Sequence, residues 1–119
     1  MTITVVHPSR LNPDEEQVIS EILRLHRVSD YSLITFETIN PISDNKANAQ
    51  LETAIQTGNH DDDIFIIGVG SAGTNWGGFK AWIRTLKEVT LGENKPLVRF
   101  YWLNEFFDTC TLEGVLPEE

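Results

Sequence analysis

A chain of 119 residues, 40% of them hydrophobic and 23% charged, has the size and composition of one ordinary globular domain, residues 1–119. Its 18 Asp and Glu against 9 Lys and Arg give a formal charge of -9, which repels a phosphate backbone and argues against nucleic acid as a partner. No apolar run approaches the about 20 residues needed to span a bilayer, and a single Cys110 with three scattered His argues against a disulfide framework or a Cys/His metal site.

The opening "MTITVVHPSR" lacks a basic region followed by a long apolar segment, so no secretory signal and a cytoplasmic location are expected. The acidity serves solubility or steers the chain toward a basic partner protein.

Thr2 to Val6, rich in β-branched residues, is predicted as a strand, with "HPSRLNP" as the loop behind it. Asn12 offers an N-cap, Pro13 suits the first helical position, and Asp14, Glu15 and Glu16 suit the positive end of the helix dipole. Val18, Ile19, Ile22, Leu23 and Leu25 form a stripe at helical spacing, so a first helix is expected to run to about His26 or Arg27. "YSLITFETI" alternates Leu33, Thr35 and Glu37 against Ile34, Phe36 and Thr38, as an edge strand with one partly solvated face does.

"NPISDNKAN" is a polar turn stretch. Ala47, Leu51, Ala54 and Ile55 behind it predict a second helix, which Gly58 can end in the left-handed conformation. "DDDIFIIGVG" falls from three acids into an unbroken apolar run, the pattern of a central parallel strand buried on both faces. Phe79, Trp82, Ile83, Leu86 and Val89 predict a third helix closed near Gly92. "PLVRFYWL" predicts a fourth strand, and a short final helix is expected from about Thr109.

This alternation of strands and helices implies an α/β domain with a doubly wound parallel sheet of about four strands. With strand order 2-1-3-4, ligands would lie beyond the carboxyl ends of strands one and three, beside the loops His7 to Pro13 and Gly68 to Gly78.

The second of these loops, "GVGSAGTNWGGF", concentrates the chemistry. Its glycines let a ligand approach main-chain N–H groups, Ser71, Thr74 and Asn75 add side-chain donors, and Trp76 can cover an aromatic face. The competing structural role is packing: Gly68 and Gly70 let helix and sheet come close while Trp76 and Trp82 fill the core.

In the first loop Ser9, Arg10 and Asn12 can reach an anion, and His7 faces the same crevice unless it is a structural hydrogen-bonding residue. Glu37 can hold a ribose hydroxyl or stand as an exposed edge residue. Phe106 and Phe107 are core or a partner surface.

"GVGSAGTNWGGF", the helix after it and "KPLVRFYWLNEFFDT" resemble the flavin-ring loop, helix and last strand of the NrdI family of small flavodoxin-like proteins. Gly68, Val69, Gly73, Trp76, Gly77, Pro96 and Phe100 match in kind, and "LITFETI" is placed like the strand before that family's second flavin loop. Where the family has a phosphate loop rich in Ser and Thr, "HPSRLNPDEE" keeps only Ser9.

The resemblance implies a flavodoxin-like three-layer α/β/α sandwich, noncovalent FMN, electron transfer, and a redox partner protein, the ribonucleotide reductase small subunit. It also implies flavin contacts from Gly70, Ser71, Gly73, Thr74, Asn75, Trp76 and Gly77, with Thr38 and Asn40 from the second loop and Ser9 near the phosphate. Two alternatives stay open: a flavin-free module that binds or cleaves a nucleotide or nucleotide second messenger through His7, Ser9 and Arg10, and an acidic interaction domain without a ligand.

Overall fold

A computed structural model describes residues 2–38, 40–70, 76–90, 94–103 and 110–116. In chain order they form β1 (Ile3–Pro8), α1 (Pro13–Leu25), β2 (Ser32–Phe36), a 3-10 turn at Pro41–Ser43, α2 (Asn45–Thr57), β3 (Asp63–Val69), α3 (Trp76–Val89), β4 (Leu97–Leu103) and β5 (Cys110–Leu116).

The five strands make one sheet in the order β2-β1-β3-β4-β5. The first four run parallel, and β5 returns antiparallel to β4. The fold is therefore α/β with helices on both faces of a mostly parallel sheet, but with five strands rather than four. The segment expected as a short final helix is β5. It pairs Val98 with Leu116 and Leu103 with Cys110, and a register shift beside Phe100 and Tyr101 interrupts the ladder.

Alternation along the strands divides the core in two. On one face Ile19, Ile22 and Leu23 of α1 pack on Val5, Phe65, Ile67, Val69 and Leu103. On the other, Leu51 and Ile55 of α2 and Phe79, Trp82 and Leu86 of α3 pack on Val6, Phe36, Ile64, Ile66 and Phe100. β3 gives side chains to both, which is why its sequence is an unbroken apolar run.

α1 starts where its sequence dictates. The Asn12 side chain accepts from Glu15 N–H at 2.9 Å, and Glu15 Oε1 accepts from Asn12 N–H at 2.8 Å, a reciprocal capping box. The helix ends at Leu25, with His26 as C-cap. Arg27 adopts φ 59, and Val28 N–H reaches back to Leu23 O at 2.8 Å, closing the last turn. Leu25 departs from the expected buried stripe. It is 81% exposed, because in the last turn it stands on the rim of the arc that Ile22 and Leu23 bury.

Gly58 caps α2 in an extended conformation, φ -82 and ψ 170, not a left-handed one. Its role is close approach: a Cβ there would press on Pro96 and the Ala54 carbonyl. The acids before β3 fasten the amino edge of the sheet. Asp62 accepts from Thr2 N–H at 2.7 Å and Asn59 N–H at 3.0 Å, and these bonds hold its carboxyl below the ordinary range. Asp63 lies 3.3 Å from Arg99 Nη1, whose guanidinium covers the Phe65 ring at 5.1 Å.

Candidate functional site

Three adjacent strands, β2, β1 and β3, end at the same edge of the sheet, and the loops that follow carry the residues singled out from the sequence. The chain leaves β1 for β2 on one side and later enters β3 on the other, so the point where the order reverses lies between β1 and β3.

Ser9 continues directly from β1, exposed, with its N–H bonded to Phe36 O at 3.0 Å. Thr38 follows β2, exposed, and its hydroxyl donates to Asn40 O at 2.8 Å. Gly70 follows β3 and is half-buried. Gly77 is exposed in the first turn of α3. Ser71, Gly73, Thr74 and Asn75, and the side chain of Trp76, lie outside the described residues, as do Phe106 and Phe107.

The decisive contact joins the loop after β2 to the first turn of α3. The Asn40 carboxamide lies against Gly78, and a Cβ at Gly78 would overlap its oxygen. That Oδ1 is buried and has no hydrogen-bond partner among the described residues. A buried acceptor left without a donor costs about 1–3 kcal/mol, and none of the described residues supplies one to this oxygen.

The loop that delivers Asn40 is held by a polar framework that the sequence reading missed. Asp44 accepts from Glu37 N–H at 2.7 Å through one oxygen and caps α2 by accepting from Ala47 N–H at 3.0 Å through the other. Asn48 donates to Pro41 O and Asp44 O, both at 2.8 Å, and accepts from the indole N–H of Trp82 in α3. The Asp three residues before Ala47 was the available signal for the cap. Glu37 itself is exposed, as its edge reading expected.

The glycines of the loop divide by role. Gly68 belongs to packing, since a Cβ there would meet Trp102 at 2.6 Å and Phe79 at 2.8 Å, and Trp82 is fully buried. Gly78 belongs to the convergence of loops. Two consecutive glycines in a helical first turn cost helix stability, about 0.5–1 kcal/mol each against alanine, and contact with Asn40 is a reason to keep the second.

The end of the loop after β1 forms the cap of α1. Asn12 serves both arms of the capping box, and the Glu15 carboxylate, 2% exposed, occupies the positive end of α1. The Asn12 backbone N–H and side-chain oxygen are therefore both committed to the cap. His7 is half-buried, with Nδ1 2.7 Å from Pro8 O, so that nitrogen carries the proton and donates. Burial lowers the His7 pKa from 6.5, against the opposing pull of the Pro8 carbonyl and the Glu16 charge.

Among the described residues no helix is long and apolar enough to cross a membrane, and no group of three or more His, Cys, Asp or Glu is placed to hold a metal ion. Comparison with known proteins finds no matching family model, no matching curated protein and no matching solved structure.

Proposed function

We propose that the chain is a small flavodoxin-like electron-transfer domain. It takes the ring of FMN at the carboxyl edge, between the glycine loop and the loop after β2, and serves a redox partner protein, in its NrdI-like form a ribonucleotide reductase small subunit. The observation that carries this reading is the buried Asn40 Oδ1 against Gly78, which has no hydrogen-bond partner among the described residues, where the loop after β2 meets the first turn of α3. A planar heterocycle with N–H donors suits such an acceptor, and close main-chain approach suits a flat ring. The strand order β2-β1-β3-β4-β5 is also the flavodoxin-like order, although here the last strand is antiparallel.

The fit is one-sided. The positive end of α1, where an FMN phosphate would be held, is filled by Asn12 and Glu15, so the phosphate has no place there. The same occupancy weighs against a nucleotide module built on His7, Ser9 and Arg10. Ring contacts from Asn40, Gly70 and Gly77 would carry the affinity, and a bound flavin would supply the one- and two-electron chemistry.

Titration of FMN with the protein, followed by visible absorption and flavin fluorescence, tests the reading. A shifted spectrum with quenched emission is expected. A spectrum of free FMN at saturating protein would overturn it.

A further inference from the structure

β2 is an end strand of the sheet, and among the described residues nothing pairs with its outer side. Its register tells which groups that side presents. Phe36 lies opposite Pro8 and its carbonyl accepts from Ser9 N–H at 3.0 Å, so the main chain of Phe36 faces β1. Bonding groups alternate along a strand, so Ile34 and Ser32 face β1 as well, and the N–H and C=O of Leu33 and Thr35 point away from the sheet. Farther along, the Glu37 N–H is taken by the Asp44 carboxylate at 2.7 Å, which closes the edge at its carboxyl end.

An open edge is a template for another strand, and proteins defend theirs with Pro, Lys, charges or bulges. The two edges of this sheet differ in that respect. β5 joins β4 through a register shift beside Phe100 and Tyr101. β2 follows β1 without a shift from Ser32 to Phe36, and it contains neither Pro nor a charged residue. Leu33 is 51% exposed, on the face it shares with Val5 and α1, and Tyr31 just before the strand is 42% exposed.

Charge and symmetry name the occupant. At a net charge of -9, two copies repel each other, and the contact between them must fall on an uncharged strip. Tyr31 to Phe36 is such a strip. Turned about a twofold axis at Leu33, the β2 of a second copy runs antiparallel to the first. Leu33 then stands opposite Leu33 of the other copy and exchanges outward N–H and C=O groups with it, while Thr35 stands opposite Tyr31. Asp30 falls opposite Phe36 and Glu37 opposite Ser29, so no like charges are paired. An edge that fits its own inverted copy closes with two members.

We propose that β2 is the surface through which two copies of this chain associate, their sheets joined edge to edge into one. The paired strands are antiparallel, so the two carboxyl edges point in opposite directions. The contact uses neither Asn40 nor the glycine loop, and it stands independently of the flavin reading. One strand of 5 residues per copy is small beside the about 1,200–2,000 Å² of a stable interface, so a weak dimer is expected, with a Kd of about 100 µM.

Sedimentation equilibrium tests this on the wild-type chain, L33K, T35P and L112K, at concentrations up to about 1 mM and at ionic strengths of about 0.01 and 0.15 M. L33K sets two cations opposite each other at the twofold axis. T35P removes an outward N–H and leaves the bonds to β1 in place. L112K changes the net charge as L33K does, at the exposed Leu112 of the other edge. The wild type is expected to stop at a dimer and to associate more tightly at the higher ionic strength, where repulsion between acidic copies is screened. L33K and T35P are expected to weaken the dimer at least about tenfold, and L112K to stay within about threefold of the wild type. Lowering the negative charge by itself would strengthen association in both lysine variants, so a loss confined to L33K reports the edge. Leu33 is half-exposed, so L33K keeps the fold and decides the matter even where T35P lowers the thermal midpoint. A monomer at every concentration, a dimer that L33K leaves unchanged, or growth beyond a dimer overturns the proposal.

Discussion

The side-chain amide of Asn40 rests where Gly78 has no Cβ, so the loop after β2 and the first turn of α3 share one contact at the carboxyl edge. Gly78→Ala is expected to destabilise by about 1 kcal/mol, because the new methyl group displaces a buried carboxamide. In an Asn40→Ala background the same substitution should be neutral or stabilising, since alanine is the better helix former by about 0.5–1 kcal/mol. Urea unfolding of the four proteins measures the coupling; equal effects of Gly78→Ala in both backgrounds would refute the contact.

Trp82 ties α3 to the same loop through Asn48, and Asn48 also holds the Pro41 and Asp44 carbonyls. Trp82→Phe keeps an aromatic ring in the core and removes the indole N–H. It should cost about 1–3 kcal/mol for the acceptor left unpaired. A loss well below that range, measured by the shift in urea midpoint, would show that Asn48 finds another donor.

Arg27 closes α1 at φ 59, a backbone state that a side chain with a Cβ adopts at a cost. Arg27→Gly is expected to stabilise by about 0.5–1 kcal/mol, the relieved strain partly offset by greater freedom in the unfolded chain. The thermal midpoint should rise, and a fall would assign Arg27 a contact that outweighs its strain.

Burial lowers the pKa of His7 below 6.5, so the folded state prefers the neutral ring. Protons bind more readily to the unfolded chain, and stability therefore rises with pH across the interval between the folded pKa and 6.5. The contribution is complete above 6.5 and is lost as pH falls through that interval. His7→Asn should flatten this part of the stability profile, and an unchanged slope would contradict the placement of His7.

Legibility in the sequence followed the range of the interaction. α1 was readable because Asn12, Pro13 and Glu15 signal its start within four residues, and β3 because a doubly buried strand must be apolar throughout. β5 was not, since Gly114 lies opposite Phe100 and the register shift beside it breaks the period-two pattern that marks a strand. At the carboxyl edge, sequence spacing placed the loops after β1 and β3 but could not show that Asn40 and Gly78 meet, because only the fold joins them. Nor could it show that Asn12 and Glu15 satisfy each other across the α1 terminus.

The central claim is that a flavin ring lies at the carboxyl edge against Asn40 and the glycines, with its phosphate held elsewhere or not at all. The most direct measurement is the set of amide chemical-shift changes on adding riboflavin and, separately, FMN. The account predicts that Asn40, Gly70, Gly77 and Gly78 shift with both ligands, and that the two dissociation constants agree within about threefold, about 0.7 kcal/mol. Shifts confined to the groove of about 320 Å³ between α2 and α3, around Ile42, Glu52 and Val89, or no shifts with either ligand, would contradict it.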